Sequence, residues 1–245
     1  MDTSEEGILH PHLPADQLDR AAARLPSMQP VRGPWLRTDE AYAAQMAERR
    51  RLLDGRRRDV YRQCPEGLTA ARDFLTQALD ALPEGFKTTG DTVLCPDGAD
   101  VALDWNAPLL SVGRFLQQDV CILQKQGDEH VLTGAVLCFP ASWTLAEKIG
   151  KPLTRIHTPV PDYDDAIARR VQRLFDGVKR GQPMWRANAL RYRDPALFQP
   201  RAEADQRPVG GPDDPFIRSE RQTVLRLGGE GAVAFIIHTM VVRAV

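Results

Sequence analysis

The chain has 245 residues, with 32 Lys and Arg against 33 Asp and Glu and a formal net charge of -1. This length is enough for one large domain or two small ones whose core needs neither disulfides nor a structural metal. The balanced charge argues against a protein that binds nucleic acid or an anionic membrane over its whole surface. Four widely spaced cysteines, Cys64, Cys95, Cys121 and Cys138, form no C-x-x-C pair and are predicted to be reduced, buried thiols.

The N-terminal residues lack a basic region followed by an apolar core, and no apolar run approaches the roughly 20 residues that cross a bilayer. We therefore predict a soluble, cytoplasmic protein. Residues 1–37 contain several prolines and scattered hydrophobic residues. This composition predicts an extended N-terminal arm lying on a single domain of residues 38–245.

Apolar spacing and turn residues predict the elements of the first half in chain order. Two helices are predicted over residues 38–62 and 65–82, followed by a hairpin around Pro96-Asp97-Gly98. A helix over residues 108–118 then precedes a second hairpin at Gly127-Asp128.

The second half combines helices with strands. Helices are predicted over residues 142–149 and 162–180, and a strand over residues 184–193. Residues 194–215 have the composition of a flexible loop, and a terminal hairpin is predicted around residues 228–231. Together the elements predict an α+β fold, with an antiparallel sheet of about six or seven strands flanked by helices.

The first predicted helix carries a cluster of arginines at residues 49–51 and 56–58. Such a cluster can bind nucleic acid or can form a solvated helix face. Interleaved acidic residues and the lack of aromatic residues for base stacking favour the solvated face.

Two histidines, His157 and His238, stand in apolar settings, whereas His130 begins a strand and is predicted to be exposed. Pro159 and Pro161 restrict the residues before them to extended conformations, so the backbone after His157 is predicted to be fixed. A fixed backbone suits a ligand to haem iron, which needs only one protein ligand; the alternative is a hydrogen-bonded structural histidine. The same alternatives apply to His238, which lies within a predicted strand.

Polar residues alternate along two predicted strands. Arg186 and Asn188 share one side of the strand over residues 184–193. Residues 218–223, RSERQT, place Arg218, Glu220 and Gln222 on one side and Ser219, Arg221 and Thr223 on the other. This pattern is typical of cross-strand ion pairs on a solvated face; the alternative is a covered face whose arginines bind carboxylates such as haem propionates.

Several common classes of site are excluded by missing motifs. The sequence has no P-loop, G-x-S-x-G elbow, H-E-x-x-H or EF-hand pattern. Gly228-Gly229-Glu230-Gly231 connects two predicted strands, so it is predicted to form a turn rather than a phosphate-binding loop.

A series of motifs carries a resemblance to a known family. In order, they are FPASW at residues 139–143, Lys148-x-Gly150, Ile156-His157-x-Pro159-Val160-Pro161, Arg186-x-Asn188 and Arg218-x-Glu220-Arg221-Gln222-Thr223. Over about residues 36–245, the chain resembles the haem-dependent oxidative N-demethylase α-subunit family. It differs from the family pattern at Gln118, at Ala189 and at His238-Thr239-Met240.

The resemblance implies a PAS-like fold that encloses one b-type haem. It implies an oxidoreductase, a haem-dependent amine monooxygenase, that uses O₂ to convert a small secondary methylamine into formaldehyde and the primary amine. Electrons would come from a separate reductase with flavin and an iron–sulfur cluster, for which this chain has no motifs. Two alternatives remain open: a haem-based gas or redox sensor, and a haem-free interaction module of the same fold.

The resemblance also implies roles for individual residues. His157 matches the axial haem ligand and hence the metal-binding residue, and Arg186 matches a polar residue near the oxygen or the propionates. Arg186 and Asn188 are the expected catalytic residues. The residues expected to bind the cofactor are His157, Arg186, Arg221, Gln222 and His238.

Overall fold

A computed structural model of the protein describes residues 7–21, 27–158, 165–205, 210–228 and 231–244. The helices of the described part are α1 (Ala15–Ala21), α2 (Tyr42–Gly55), α3 (Arg57–Val60), α4 (Leu68–Asp80), α5 (Pro108–Phe115), α6 (Leu145–Lys148), α7 (Leu153–His157) and α8 (Asp165–Gly177). The strands are β1 (Gln29–Pro30), β2 (Tyr61–Gln63), β3 (Lys87–Thr89), β4 (Thr92–Leu94), β5 (Asp100–Ala102), β6 (Asp119–Gln126), β7 (Glu129–Val136), β8 (Met184–Tyr192), β9 (Phe216–Arg226) and β10 (Val233–Arg243). None of the helices in these ranges combines the length and the apolar character needed to cross a membrane.

The described residues form one seven-stranded antiparallel sheet, in the order β1-β8-β9-β10-β6-β7-β2, and a separate three-stranded sheet, β3-β4-β5. Strands β9 and β10 are the longest and pair along their whole length at the centre of the large sheet. The predicted α+β class and the antiparallel sheet are therefore confirmed. The PAS-like assignment and the boundary between arm and domain stay predictions.

The large sheet has two faces, because cross-strand partners point to the same side and successive residues point to opposite sides. One face packs against α2, α4 and α5 and is called the α2 face; its sheet residues include Val120, Ile122, Leu225, Ala234 and Ile236. The other packs against α6, α7 and α8 and is called the α7 face; its sheet residues include Leu123, Leu132, Val224, Val233 and Ile237. All these side chains are buried, so both faces of the sheet are covered.

The three predicted hairpins are present as β4–β5, β6–β7 and β9–β10. The helix predicted over residues 38–62 is shorter than expected, because α2 ends at Gly55 and Arg56 leaves the helical conformation, with φ -132°. Its last residues instead form β2, which pairs with residues 134–136 of β7 at the edge of the sheet. The last predicted long helix is present as α8, and residues 162–164 of that prediction lie outside the described residues.

The predicted arm contains structure of its own. Helix α1 lies against β8 and β9, where Gln17 Nε2 donates a hydrogen bond of 2.7 Å to Ser219 Oγ. His10 N donates to the Val241 carbonyl at 2.7 Å, and β1 pairs with the start of β8. These contacts attach the described part of the arm to the α2 face and to one edge of the sheet.

The arginine cluster of the first predicted helix is only partly solvated, because Arg49 does not share the exposed face that was predicted. Arg51, Arg56, Arg57 and Arg58 are exposed as predicted, but Arg49 is completely buried. It lies on the buried stripe of α2, which comprises Tyr42, Gln45, Met46, Arg49, Leu52 and Leu53. The three-to-four spacing of that stripe, and not the charge of the side chain, therefore decides where this residue lies.

His130 is also buried, contrary to the prediction that it is exposed. Its Nδ1 lies 2.6 Å from Gln172 Oε1 of α8, and its ring meets Phe175 of the same helix edge to face at 5.3 Å. The strand position alone did not predict this burial, because α8 reaches His130 from 42 residues further along the chain.

Candidate functional site

His157 is the last residue of α7, whose Leu153 and Ile156 pack into the core of the α7 face. His157 Nδ1 lies 2.9 Å from the Leu153 carbonyl oxygen, an acceptor, so Nδ1 carries the proton and Nε2 carries the lone pair. Burial lowers the pKa of His157, the Leu153 contact opposes this shift, and the charge of Lys148 adds to it. A neutral ring with a fixed tautomer is the form that binds metal.

The backbone after His157 differs from the sequence prediction. Thr158 is helical, with φ -47° and ψ -37°, although it precedes a proline. Its hydroxyl donates to the Thr154 carbonyl at 3.2 Å, which continues the helical turn beyond His157. The extended conformation predicted for the residue before Pro159 is therefore wrong, whereas the effect predicted for Pro161 falls on residues outside the described ranges and stays a prediction.

A group of polar side chains lies on the α7 face across β8, β9 and β10. We call Arg186, Asn188, Glu220, Gln222 and Thr239 the polar patch. Register pairs Arg186 with Gln222 in one row, and Asn188 with Glu220 and Thr239 in the next. Both amides donate to Glu220 Oε2 at 3.2 Å, and Asn188 Oδ1 accepts from Glu220 N at 3.0 Å. The predicted sharing of one side by Arg186 and Asn188 is borne out by this register.

Three buried side-chain atoms in and beside the polar patch have no hydrogen-bond partner among the described residues: Arg186 Nε, Arg218 Nε and Thr239 Oγ1. A buried polar group without a partner is costly, by about 1–3 kcal/mol. Burial also lowers the pKa of Arg186, and the charge of Glu220 opposes that shift only in part. Arg218 Nε is in an ion pair with Glu220 Oε1 at 3.5 Å, so Arg186 Nε and Thr239 Oγ1 are the two atoms that fit a site for a polar or anionic group of a ligand.

His157 and the polar patch lie at opposite sides of the α7 face. Helix α7 packs over β7, and three strands, β6, β10 and β9, separate β7 from β8. At about 4.8 Å per strand, β7 lies roughly 19 Å from β8 and roughly 10 Å from β10, the strand of the polar patch nearest to it. Apolar side chains lie between the two groups, including Cys121, Leu137 and Ile237. A group that contacted both ends would need to be broad and largely apolar, with polar substituents at its margin, and a porphyrin has this character.

The segment from Phe139 to His157 is fixed at its start by a buried carboxylate. Asp119 Oδ1 accepts from Cys138 N at 2.7 Å, and Asp119 Oδ2 accepts from Phe139 N at 2.9 Å. The same carboxylate is paired with Arg49 Nη1 at 2.6 Å. Arg218 then binds the Phe139 and Leu197 carbonyls, which joins β9 to the FPASW motif.

A second anchor lies beside α7. We call residues 194–205 the strap; they contain no helix or strand, in agreement with the predicted loop. Lys148, which is 3 % exposed, donates to the Ile156 carbonyl at 3.0 Å and to Glu203 Oε1 at 2.5 Å. Arg155 binds both oxygens of Glu203, at 3.1 and 3.0 Å. The hydrogen bonds from Arg155 and Lys148 lower the pKa of Glu203 to about 2. Through Lys148, the strap therefore fixes the position of Ile156, the residue before His157.

Arg221 and His238 lie on the α2 face, on the other side of the sheet from the polar patch. They pair with each other across β9 and β10, and each is adjacent in sequence to a residue of the α7 face, Gln222 or Thr239. Arg221 stacks on Trp185 at 3.4 Å, and burial together with the charge of Arg37 lowers its pKa to about 10. His238 Nδ1 lies 2.8 Å from Gln118 Nε2, and His238 Nε2 lies 2.7 Å from Asp39 Oδ2. Their predicted role in binding the cofactor stays a prediction.

The burial of residues 218–223, whose polar side chains alternate along β9, differs from the prediction. Alternation of the side chains is as predicted, but neither side is a solvated face: Arg218 is 2 % exposed and Arg221 is 3 % exposed. The sequence did not show that the strap and the FPASW motif cover one side, or that α1 covers the other. Glu220 and Thr239 were therefore missed as site residues, although alternation already put Glu220 beside Arg218 and Gln222.

Asp39 is the centre of a polar network on the α2 face that the sequence did not predict. His10 Nε2 and His238 Nε2 both contact Asp39 Oδ2, at 3.0 and 2.7 Å. Gln117 Nε2 donates to Asp39 Oδ1 at 2.6 Å. Burial opposes the ionised carboxylate, but the contacts with His10, His238 and Gln117 and the charge of His238 outweigh burial and hold the pKa of Asp39 well below its usual value. The network attaches the arm to β10.

Asp39 gives a pH-dependent contribution to stability with a definite sign. Its folded-state pKa lies below the ordinary value of 3.8, so its contribution is complete above about pH 4 and is lost as the pH falls below that. We expect Asp39→Asn to lower the free energy of unfolding by about 2 kcal/mol at pH 7, because charged hydrogen bonds are lost. Urea unfolding from pH 7 to pH 3 should show the difference between wild type and variant narrowing below pH 4; a constant difference would contradict this account.

Among the described residues, no group of three or more His, Cys, Asp and Glu side chains is arranged to hold a metal ion. The α7 face instead carries an imidazole, apolar core side chains and a polar patch with buried polar atoms that lack partners among the described residues, and these are the kinds of group that a haem site uses. A search of curated proteins finds no match to this chain. The family described as haem-dependent oxidative N-demethylase, alpha subunit-like, matches residues 27–244, and the chain belongs to this family.

Proposed function

We propose that this chain is the haem-binding component of an oxidative N-demethylase that acts on a small secondary methylamine. The unpaired polar atoms on the α7 face, the face on which His157 also lies, are the observation that carries the proposal. Membership of the family supports the dependence on haem and the type of reaction. The b-type haem and the individual site residues are part of the proposal.

The proposed reaction balances without any further reactant. One O₂, two electrons and two protons react with the amine; the N-methyl carbon is oxidised to formaldehyde, the carbon–nitrogen bond breaks, and the primary amine and water are released. The haem, when bound, supplies the iron at which O₂ is reduced. A separate reductase that carries flavin and an iron–sulfur cluster supplies the electrons.

His157 would hold the iron through Nε2, since its Nδ1 proton is directed to the Leu153 carbonyl. Arg186 would donate to an anionic group, either a propionate or the reacting oxygen, because its buried Nε has no hydrogen-bond partner among the described residues. Asn188 and Gln222 would act on the substrate side by holding the Glu220 carboxylate in place. The apolar side chains between the two groups would exclude water from the reaction.

The activity is tested by measuring formaldehyde. Haem-replete protein, a chemical reductant and O₂ are incubated with dimethylamine and with methylated amines of increasing size. The proposal predicts formaldehyde and primary amine in equal amounts, and at least about a hundredfold less of both with Arg186→Met, if Arg186 stabilises developing charge. Haem protein that binds O₂ but releases no formaldehyde from any amine would contradict the enzyme and favour a sensor.

A further inference from the structure

The polar patch contains unpaired groups of both kinds, donors and acceptors. Arg186 Nε is a buried donor without a partner among the described residues. Thr239 Oγ1 is also without a partner there, and Thr239 is 1 % exposed. Glu220 uses Oε2 to accept from both amides, whereas its Oε1 forms a longer ion pair of 3.5 Å with Arg218 Nε and accepts no hydrogen bond from the described residues. The patch therefore presents one cationic donor and, in the next row, two oxygens that can accept a further hydrogen bond.

The geometry of the sheet places these groups at a spacing that suits a small molecule. Arg186 and Glu220 are diagonal neighbours on β8 and β9, and Glu220 and Thr239 are direct partners on β9 and β10. Direct partners have Cβ atoms about 5 Å apart and diagonal neighbours about 7 Å apart. The Glu220 charge acts on Arg186 across this gap, so the two side chains are within electrostatic reach.

One end of the patch borders solvent. Arg186 and Asn188 are half-buried, and the next residue on their side of β8, Leu190, is 52 % exposed. The Glu220 side chain is 14 % exposed. Solvent therefore lies at the β8 end of the patch, whereas Thr239 on β10 is 1 % exposed.

A simple amine and a zwitterion would form hydrogen bonds with different numbers of the unpaired groups in this patch. The ammonium of any secondary amine can donate to Glu220 Oε1 and to Thr239 Oγ1, but a simple amine leaves Arg186 unpaired. A carboxylate on the same molecule would accept from Arg186, and an α-amino acid carries both charged groups on one carbon atom. Charge-assisted pairs of this kind are the strong ones, and a site built for a group rejects the analogue that lacks it.

We infer that the preferred substrate is a zwitterionic N-methyl amino acid, whose ammonium lies against Glu220 and Thr239 and whose carboxylate, in place of a haem propionate or the reacting oxygen, is the anionic group that Arg186 binds. This inference rests on the proposed function, and it names the substrate class of the same site. The N-methyl carbon is released as formaldehyde and the amino acid is released without its methyl group, with the same balance of O₂, electrons and protons. Glu220 and Thr239 become residues that determine specificity.

The test is a calorimetric titration of haem-replete protein with three probes: N-methylglycine, dimethylamine and acetate. We expect N-methylglycine to bind at least tenfold more tightly than either of the others. Arg186→Met should remove the preference for N-methylglycine over dimethylamine, and Glu220→Gln should weaken both amines. Arg193→Gln, a change at a strongly exposed arginine just beyond β8, is the matched control and should leave all three affinities unchanged.

Equal affinity for dimethylamine and N-methylglycine, or a preference that survives in Arg186→Met, would overturn the inference. Arg186→Lys, which keeps the charge, covers the case in which the Met variant does not fold, and it should retain part of the preference. The proposed function is read separately, from the Soret band and from formaldehyde release. A Soret band with formaldehyde release from dimethylamine, but without selective binding of N-methylglycine, would contradict this inference alone, whereas protein without a Soret band would contradict the proposed function on which it rests.

Discussion

Asp119→Ala is expected to lower the free energy of unfolding by about 3–5 kcal/mol, because it leaves Arg49 buried without its charge partner. The two side chains are 0 % and 1 % exposed, so water cannot replace the lost contact. The same change removes the acceptor for Cys138 N and Phe139 N. The measurement is chemical denaturation followed by far-UV circular dichroism.

Two matched changes distinguish this effect from a general sensitivity to charge. Glu48→Gln breaks the exposed pair with Arg51 and should cost less than about 1 kcal/mol. Adding Arg49→Met to Asp119→Ala should recover part of the loss, because the unpaired buried charge is removed. If Asp119→Ala were as mild as Glu48→Gln, the buried ion pair would not be the anchor described here.

Lys148→Met is expected to make haem dissociate about tenfold faster. This factor is the smallest of those typical for the removal of a group that orients a metal ligand. Lys148 holds the Ile156 carbonyl, one residue before His157, and joins α7 to the strap through Glu203. Methionine retains the length and the packing of the side chain but not its hydrogen bonds. The measurement is the rate of haem transfer to an excess of apomyoglobin.

Lys151→Met, at an exposed residue of the same connection, is the control and should leave the rate unchanged. Lys148→Arg should restore most of the retention, because it can donate to the same two oxygens. A purely structural role would lower the melting temperature of haem-free protein in Lys148→Met while leaving the haem transfer rate equal to that of wild type. That result would remove Lys148 from the support of His157.

Local patterns predicted much of the fold. The hairpin of β9 and β10 follows from two long runs of β-branched and apolar residues around a glycine-rich turn. Alternation along β8 placed Arg186 and Asn188 on one side, and this also follows from a period of two. The same rule separates Arg221 from Gln222, since adjacent residues of a strand cannot share a face, and the predicted cofactor site included both.

Contacts between residues far apart in the sequence decide which charged and polar side chains are buried, and local patterns do not predict these contacts. Arg49 and Asp119 are 70 residues apart, and Lys148 and Glu203 are 55 residues apart, and neither pair has a short-range signature. His130 is buried because α8 crosses β7, and Arg218 is buried because the strap crosses β9. Sequence period shows which residues share a side; it does not show which element covers that side.

The account depends most on His157 as the ligand of a haem on the α7 face. The direct measurement is the absorption spectrum of purified wild type and His157→Ala, both expressed with ample haem. We predict a Soret band in the wild type that is lost in His157→Ala and returns when imidazole is added. A wild type without a Soret band, or a band of equal height and position in the variant, would contradict the account.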